Sequence, residues 1–431
     1  MRKNNALTCA LCSCQAPGVM RSRLLAALLM ACVAVGLAGA ASEPETVVKV
    51  TTLPEQPGPH WFWLSDIVLH RTALFDGASG QLLGIITSGS PGVGFAILPQ
   101  FSLDHREIYL SESYYSRGVR GERTDMVTVY DARTLAPLQE IPLPPKRAEY
   151  YPGNASSALS DDGRFLAVFN LTPMTSLSIV DVQARRFVTE VPTPGCSLVY
   201  GAGPRRFLML CANGGALVVR LDDAGNAATP VRTDPFFDAQ KDPITEKAAR
   251  RGGTWFFVSY DGVVHPVDVS GDPIRFDDTW SLLDDQDRAG SWRIGGGQLL
   301  AVHQASGRLY VLMHQGGPDT HKEPGTEVWV YDLASRTRVQ RVSMLNPLIS
   351  FIGLQASLDS AHTSGRIERW LLGKLVGNPG VERILVTQDE HPVLVASASI
   401  PPTLTIHDAM TGEVLREVSE PGLGGGLLVA P

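Results

Sequence analysis

The most constraining feature of this sequence is a short phrase that recurs seven times along the chain. In each copy, apolar residues alternate with others up to an aspartate, and a polar or glycine-containing turn leads to a second short run, as in EVWVYDLASRTRVQRV (327–342). Such alternation buries one face of a β-strand, and the aspartate carboxylate accepts hydrogen bonds from backbone amides of the turn. Each copy therefore predicts a β-hairpin. The seven aspartates are Asp76, Asp131, Asp181, Asp222, Asp268, Asp332 and Asp408.

A second pattern precedes many of these hairpins. A turn rich in Asp, Gly or Arg leads into an apolar strand, as in SDDGRFLAVFN (160–170) and QASGRLYVLMH (304–314). Together the two patterns give four antiparallel strands per repeat, with successive aspartates 41 to 76 residues apart. This arrangement is typical of a β-propeller blade. The sequence therefore predicts an all-β fold, a seven-bladed β-propeller of four-stranded antiparallel blades over residues 41–431, with a large β-sandwich as the alternative.

The ends of this region and one long interval add two expectations. TVVKVTTL (46–53) and GGLLVAP (425–431) are both strand-like, so we expect one terminus to complete a blade begun by the other. The interval before the last aspartate contains residues 346–380, in which IERWLLGKL (367–375) has helical spacing. We interpret residues 346–380 as an insertion between the last two blades.

The N-terminal 40 residues have the pattern of an export signal. Arg21 and Arg23 precede LLAALLMACVAVGLAGA, an apolar run that ends in small residues. We therefore expect export with cleavage after Ala40, with Met20 as an alternative start. An uncleaved membrane anchor is the competing interpretation, because the run is about long enough to span a bilayer. Lipidation at Cys32 is disfavoured because the apolar run continues beyond it. A cleaved segment leaves no stable membrane insertion.

Charge excludes one class of partner. Four of the 37 basic residues and none of the 44 acidic residues lie in the first 40 positions, so the rest of the chain carries a net charge of −11. An acidic surface repels phosphate backbones, and we therefore expect no nucleic-acid partner.

Cysteine usage agrees with export. Only Cys196 and Cys211 lie outside the first 40 residues. Two cysteines 15 positions apart in an exported chain most simply form a disulfide, which would add about 3 kcal/mol in the chain-entropy model. A metal-binding or catalytic thiol pair is the alternative.

Residues with potential chemistry do not form a recognisable catalytic set. The sequence has no G-x-S-x-G elbow, P-loop or H-E-x-x-H motif, so no catalytic residue is assigned. His303, His314 and His321 could hold a metal, but we expect none, because they lie in a hairpin and a long loop. DDQDRAG (284–290) has the wrong spacing for a calcium loop and is interpreted as a solvated acidic loop. HWFWL (60–64) favours blade packing over a subunit interface.

Several long stretches nevertheless resemble one family. These stretches include irregular loops as well as the general blade pattern, and the resemblance covers most of residues 60–345 and the last blade. They are similar to the heavy subunit of the quinoprotein amine dehydrogenases, above all the aromatic (aralkylamine) type, and also the methylamine type. The stretches are YYSRGVRGERTDMVTVYDA (114–132), IPLPPKRA (141–148), SLSIVDV (177–183), FVSYDGVVHPVDVSGD (257–272), TWSLLDDQDRAGSW (279–292) and HQASGRLYVLMHQGGPDTHKEPGTEVWVYD (303–332).

The resemblance implies a role as one subunit of a periplasmic enzyme. In this family two heavy and two light chains assemble, and the light chain carries tryptophan tryptophylquinone, made from two of its own tryptophans. A primary amine is oxidised to an aldehyde and ammonia with the help of a light-chain aspartate, and electrons pass to a small copper protein, azurin or amicyanin. The heavy chain is a seven-bladed propeller that binds no cofactor, docks the light chain and helps to wall the substrate channel.

The resemblance also bears on individual residues. Cys196 and Cys211 match the positions of a heavy-chain disulfide in the family. GIITSGSPGVGFAIL (84–98) corresponds to the region in which family members place a phenylalanine at the channel mouth. That stretch is extended here, which makes Phe95 the weak candidate for this residue. A stand-alone periplasmic propeller, either a lactonase-like enzyme or a binding module, is the alternative function.

Overall fold

The structure, a computed structural model, describes residues 52–66, 68–87, 89, 98–148, 155–344, 380–399, 402–418, 422 and 426–431. The predictions for the signal segment (1–40), for Phe95 and for nearly all of the insertion at 346–380 lie outside these residues. The strands of the described part form seven antiparallel sheets, which follow one another along the chain. The predicted seven-bladed β-propeller is therefore confirmed, and the β-sandwich alternative is wrong.

The first three sheets each contain four strands. Blade 1 consists of β1 (Trp61–Asp66), β2 (Arg71–Asp76), β3 (Leu82–Thr87) and a closing strand from the C-terminus that is described below. Blade 2 consists of β4 (Gln100–Phe101), β5 (Glu107–Tyr115), β6 (Arg123–Asp131) and β7 (Pro137–Leu143). Blade 3 consists of β8 (Ser157–Leu159), β9 (Phe165–Asn170), β10 (Ser176–Asp181) and β11 (Arg186–Pro192).

The remaining sheets follow the same plan. Blade 4 consists of β12 (Cys196–Gly201), β13 (Arg206–Cys211), β14 (Ala216–Arg220) and β15 (Val231–Arg232). Blade 5 consists of β16 (Ala249–Arg251), β17 (Thr254–Val258), β18 (Val263–Asp268), β19 (Arg275–Phe276) and β20 (Trp280–Ser281). Blade 6 consists of β21 (Trp292–Ile294), β22 (Leu300–His303), β23 (Arg308–Gln315), β24 (Glu327–Asp332) and β25 (Thr337–Ser343). Blade 7 consists of β26 (Arg383–Val386), β27 (Val393–Ser399), β28 (Pro402–Asp408) and β29 (Val414–Val418).

Blades 5 and 6 have five strands because one edge of each is divided. In blade 5, β19 and β20 both pair with β18, at its two ends. In blade 6, β21 and β22 both pair with β23. Each blade therefore keeps four positions across the sheet, as the repeat predicts.

The first strands of the blades lie next to one another around the ring. Contacts join β4 to β8, β8 to β12, β16 to β22 and β22 to β26. The blades then pack face to face: Phe62 and Phe75 of blade 1 share an apolar cluster with Val395 and Ile406 of blade 7. The HWFWL stretch belongs to this packing, since Phe62 is 0% exposed, and the packing interpretation is confirmed.

The repeated aspartates perform the predicted turn-capping role. Six of the seven end the third strand of a blade, and Asp222 follows β14 by two residues. Each accepts a hydrogen bond from at least one backbone amide of the following turn; Asp408 Oδ1, for instance, accepts from Met410 N at 2.8 Å and Thr411 N at 2.7 Å. These bonds hold the pKa of Asp131, Asp222 and Asp332 below its usual range.

The ring closes at the C-terminus. The closing strand, β30 (Leu428–Val429), pairs antiparallel with β1 and takes the innermost position of blade 1. The buried amide of Gln298 in blade 6 donates to Leu428 O and accepts from Leu428 N, both at 2.8 Å. The C-terminal stretch completes blade 1, as expected, but its partner is β1; residues 46–51 of the N-terminal stretch lie outside the described residues. At the other terminus, Leu53 bonds to Arg133 O in the Asp131 turn.

The acidic stretch 284–290 is a helix, not the solvated loop that the sequence predicts. Helix α1 (Asp285–Ala289) begins with a capping box in which Asp284 accepts from Asp287 N and Asp287 accepts from Asp284 N. Asp287 is buried and pairs with Arg338 at 2.7 Å. The capping box satisfies backbone groups at the start of this short helix, and acidic side chains in the first turn interact favourably with its positive end. No helix in the described part of the chain is long and apolar enough to cross a bilayer.

Because neighbouring strands run in opposite directions, the turns of all blades sort onto two faces. The Asp-turn face carries the seven aspartate turns. The opposite face, here called the connection face, carries the loops between the second and third strands, including 212–215, 259–262 and 316–326. The connections from one blade to the next, such as 233–248, leave and enter at the connection face as well.

Candidate functional site

Buried charged groups concentrate in blade 2 where it meets the connection face. Glu112 lies near the end of β5 and Asp125 near the start of β6, and both side chains are fully buried. Arg147 reaches the same region from the connection that follows β7. Charged side chains are almost never fully buried unless they are paired, so each contact they make matters for the stability of the fold.

Asp125 accepts hydrogen bonds from the basic residues of this cluster. Its carboxylate accepts two hydrogen bonds from the Arg123 guanidinium, both at 2.7 Å, and one from the backbone amide of Arg147 at 2.8 Å. Arg123 also donates to Arg147 O at 2.7 Å, and Arg147 Nε donates to Ser113 Oγ at 2.9 Å. These bonds tie β5, β6 and the connection to blade 3 together at the connection face.

Glu112 holds a different segment. Oε1 accepts hydrogen bonds from Gly89 N at 2.8 Å and from the Tyr114 hydroxyl at 3.2 Å, and the Tyr130 hydroxyl lies 3.5 Å from Oε2. Burial raises the pKa of Glu112, and the hydrogen bonds from Gly89 and Tyr114 act in the opposite direction. A carboxyl group of blade 2 is thus fixed to the chain that leaves blade 1.

Phe95 belongs to that connection between β3 and β4, and it lies outside the described residues. Its assignment to the channel mouth stays a prediction. Among the described residues, Gly89 is the last one before Phe95 in the sequence. Its backbone amide donates to Glu112. Sequence analysis missed Glu112, Asp125 and Arg147. For Glu112 and Asp125 the available signal was a charged residue within a strand; Arg147 lies in a connection and gave no such signal.

The three histidines of blade 6 do not come together. His303 lies at the Asp-turn end of β22, where its ring bonds Ser306 Oγ and Asp389 O. His314 lies at the connection face, where its Nε2 is 2.8 Å from Thr320 Oγ1, and His321 stacks on Tyr260 with ring centroids 3.6 Å apart. Among the described residues, no group of three or more His, Cys, Asp or Glu side chains is arranged to hold a metal ion.

The proton of His314 can be placed from its neighbours. The Thr320 hydroxyl donates to Gly317 O, so His314 Nε2 must donate to Thr320 Oγ1. His314 Nδ1 then has no hydrogen-bond partner within the described part of the chain. Burial, with a smaller contribution from Arg293, lowers the pKa of His314 to about 4.

This pKa predicts a pH-dependent stability. The unfolded histidine takes up a proton near pH 6.5, whereas the folded one resists protonation until about pH 4. Neutral His314 therefore stabilises the fold above pH 6.5, and about 3 kcal/mol of this stability is lost as the pH falls from 6.5 to 4. Urea unfolding at pH 7 and pH 4 should show a smaller loss in His314→Gln by about that amount. The exposed His391→Gln variant is the control; equal losses in all three proteins would contradict the prediction.

Cys196 and Cys211 are joined by a disulfide, the pairing that the sequence predicts. The bond links the start of β12 to the end of β13 at the connection face. The Arg232 guanidinium lies against both sulfur atoms, 3.0 Å from Cys196 Sγ and 3.4 Å from Cys211 Sγ. An open cleft of about 590 Å³ adjoins it, lined by Ala212, Asn213 and residues 235–240. The disulfide therefore stiffens one wall of a concave part of this face.

Comparisons with known proteins agree on a single family. The family model for the methylamine dehydrogenase heavy chain (MADH) matches residues 66–359. The methylamine dehydrogenase heavy chain of Paracoccus versutus is 29% identical over 354 residues, covering 81% of this chain and 74% of the relative. That of Methylophilus methylotrophus is 26% identical over 352 residues, covering 80% and 76%.

Solved structures show the fold alone. The periplasmic gluconolactonase of Pseudomonas aeruginosa aligns with a TM-score of 0.52 at 16% identity, covering 86% of this chain and 99% of that one. A functionally unknown protein from Desulfotomaculum acetoxidans aligns with a TM-score of 0.54 at 12% identity, covering 86% and 98%.

The match of the family model spans more than half of the residues, and it includes both the blade 2 cluster and the disulfide. The predicted resemblance to amine dehydrogenase heavy subunits is confirmed, while the closer similarity to the aromatic type stays a prediction. This chain belongs to the methylamine dehydrogenase heavy chain family.

Proposed function

We propose that this chain is the scaffold subunit of a periplasmic quinoprotein amine dehydrogenase. It is exported with its signal segment removed near Ala40, and two copies assemble with two light chains. The complex oxidises a primary amine to an aldehyde and ammonia and passes electrons to an azurin- or amicyanin-like copper protein. Family membership is the observation that carries this proposal.

The pair of described tryptophans Trp292 and Trp329 does not fit the cofactor itself. Tryptophan tryptophylquinone supplies the electrophilic carbonyl and accepts the electrons, and it needs two tryptophans within reach of the substrate. Trp292 and Trp329 contact each other at a tilt of 47° with ring centroids 5.0 Å apart, but Trp329 is fully buried and donates to Glu327 Oε2 at 2.7 Å. The Arg341 guanidinium lies over both rings. This pair serves blade packing; the placement of the cofactor on the light chain rests on family membership.

What this chain contributes is a rigid surface. Closure by β30 and the face-to-face packing of the blades hold the described part of the connection face in one shape. The Asp125 and Glu112 bonds and the disulfide fix parts of that face. A stiff, preorganised face loses little conformational entropy when a partner docks. We propose the connection face as the surface that meets the light chain and walls the substrate channel.

Co-expression tests this function directly. The chain should be produced with a light chain encoded beside it in its native host and purified through a tag on the heavy chain. We expect a complex of two heavy and two light chains that reduces a dye only when an amine is added, and no such activity in the heavy chain alone. A heavy chain that purifies without a quinone-bearing partner, and that hydrolyses lactones by itself, would support the stand-alone propeller instead.

A further inference from the structure

The hairpin between β5 and β6 extends further from the ring than the corresponding hairpins of the neighbouring blades. Counted from the capping Asp131, the ladder of blade 2 contains nine residue pairs and ends at Tyr115 and Arg123. The same ladders in blades 1 and 3 contain six. The difference of three residues, at about 3.3 Å each, places the end of this hairpin about 10 Å beyond its neighbours on the connection face. Residues 116–122, here called the blade 2 arm, form this end.

The blade 2 arm is exposed along its whole length and has a firm base. Ser116 N donates to Glu122 O at 3.0 Å, which continues the ladder into the arm, and Arg117 N donates to Arg120 O at 3.0 Å, which closes the turn. The buried charged cluster of blade 2 lies directly below and ties both strands of the hairpin together. The arm therefore keeps its shape without a partner and loses little conformational entropy when one binds.

The tip of the arm presents an apolar side chain between two positive charges. Val119 is 72% exposed, the highest value among the large apolar residues that the structure describes. Arg117 and Arg120 flank it, and neither is paired with a carboxylate of the described residues. Two arginines against Glu122 give the arm a net charge of +1, whereas the chain after residue 40 carries −11. The arm is thus a basic, apolar-tipped projection from an acidic protein.

Exposed apolar residues continue on both sides of the arm. They lie in the loops between the second and third strands of the adjacent blades, and they are Val68 and Leu69 in blade 1 and Leu171 and Met174 in blade 3. The corresponding loops of blades 4 to 6, all of them described, expose no large apolar side chain. Apolar exposure on these loops is therefore concentrated in three consecutive blades with the arm in the middle. Grouped exposure of this kind marks a binding surface for another protein.

The charges of the arm indicate what kind of surface it fits. A symmetric contact between two copies of this chain would bring the same patch of each copy together, so four arginines would meet only two glutamates. Juxtaposed like charges oppose such a contact. A different protein with an apolar pocket and carboxylates at its rim would accommodate both the valine and the arginines.

We propose that the blade 2 arm is a docking element for the light chain. Val119 enters an apolar pocket of that chain, and Arg117 and Arg120 pair with carboxylates around the pocket. The identity of the partner rests on the proposed function, whereas the chemistry of its surface follows from the arm.

Two variants of the co-expressed complex alter the arm. Val119→Asp places a charge at the apolar tip, and the double variant Arg117→Glu/Arg120→Glu reverses both flanking charges. All three residues are exposed, so both variants should unfold in urea as the wild-type chain does.

Two further variants make the same chemical changes away from the arm. Val414→Asp is the control for the tip, because Val414 is 61% exposed on the outer strand of blade 7. The double variant Arg186→Glu/Arg336→Glu is the control for the charges, because both arginines are exposed in turns of the opposite face.

Sedimentation velocity over a dilution series gives the Kd between heavy and light chains at low and at high ionic strength. We expect Val119→Asp to raise the Kd roughly tenfold or more under both conditions, because the tip occupies the centre of the contact. Arg117→Glu/Arg120→Glu should raise it roughly tenfold at low ionic strength and less at high ionic strength, because salt screens exposed charges. Both control variants should bind as wild type does.

The other outcomes contradict the proposal in distinguishable ways. Arm variants that bind the light chain as tightly as wild type would overturn the docking role, although the complex itself would still support the proposed function. Equal weakening by arm and control variants would overturn it as well, because the effect would not belong to the arm. Self-association of the heavy chain alone that is lost in Val119→Asp would assign the arm to a second copy instead. A wild-type chain that purifies without any light chain would refute the proposed function and the docking role together.

Discussion

A chain that ends at residue 425 is expected to lose most of its folding free energy, because it lacks the strand that closes the ring. Leu427 and Leu428 are 5% and 2% exposed, and loss of a buried leucine side chain costs about 2–5 kcal/mol. Gln298 would also lose both of its hydrogen bonds to Leu428, which adds about 1–3 kcal/mol. The sum is comparable to the whole stability of an ordinary domain, about 5–15 kcal/mol.

Urea unfolding followed by tryptophan fluorescence measures this effect. Leu428→Ala provides a milder version, with an expected loss of about 2–5 kcal/mol. Leu415→Ala on the outer strand of blade 7 is the control, since Leu415 is 52% exposed and its loss should change the unfolding free energy by less than about 0.5 kcal/mol. A truncated chain that unfolds cooperatively with wild-type stability would show that β30 does not hold the ring closed.

Asp125→Asn is expected to destabilise the protein by about 3–5 kcal/mol, because it leaves the partly buried Arg123 guanidinium without its carboxylate and disturbs the bond from the backbone amide of Arg147. The substituted amide keeps the size of the side chain, so the effect reports the lost charge and not a cavity. Thermal and urea unfolding of the purified chain measure the change.

Asp131→Asn is the matched control at the other end of the same strand. Asp131 accepts hydrogen bonds from Arg133 N and Thr134 N in a turn, and an asparagine oxygen can accept the same bonds. We expect a loss of less than about 1 kcal/mol there. Similar losses of unfolding free energy in the two variants would mean that burial of the Asp125 ion pair adds nothing to its contribution.

The fold could be predicted because its signal is local and repeated. Each turn that follows a repeated aspartate, such as Asp408, lies within a few residues of the alternating strands on either side of it. A hairpin can therefore be recognised without knowledge of the rest of the chain. The prediction erred where distant residues pack together: Asp285–Ala289 form a helix within this stretch, and its Asp287 is buried against Arg338, some fifty residues away.

The candidate site was harder to predict from the sequence, because its contacts also join distant residues. Cys196 and Cys211 could be paired on their spacing and compartment, and they are the two ends of adjacent strands. The histidines of blade 6 suggested a common site, but the hairpin that carries them places His303 and His314 at opposite faces. Glu112 could not be recognised as a candidate from the sequence, because its hydrogen bond with Gly89 joins two different blades.

The sequence by itself determined the seven hairpins, the capping aspartates, the closure between termini and the family, because strand alternation, turn chemistry and unusual loops are written in contiguous residues. Only the tertiary structure decided which buried charges meet at the connection face and which residue anchors the chain as it leaves blade 1. Those pairings join residues of different strands and blades. Their energies depend on burial, and no single segment is buried before the ring has closed.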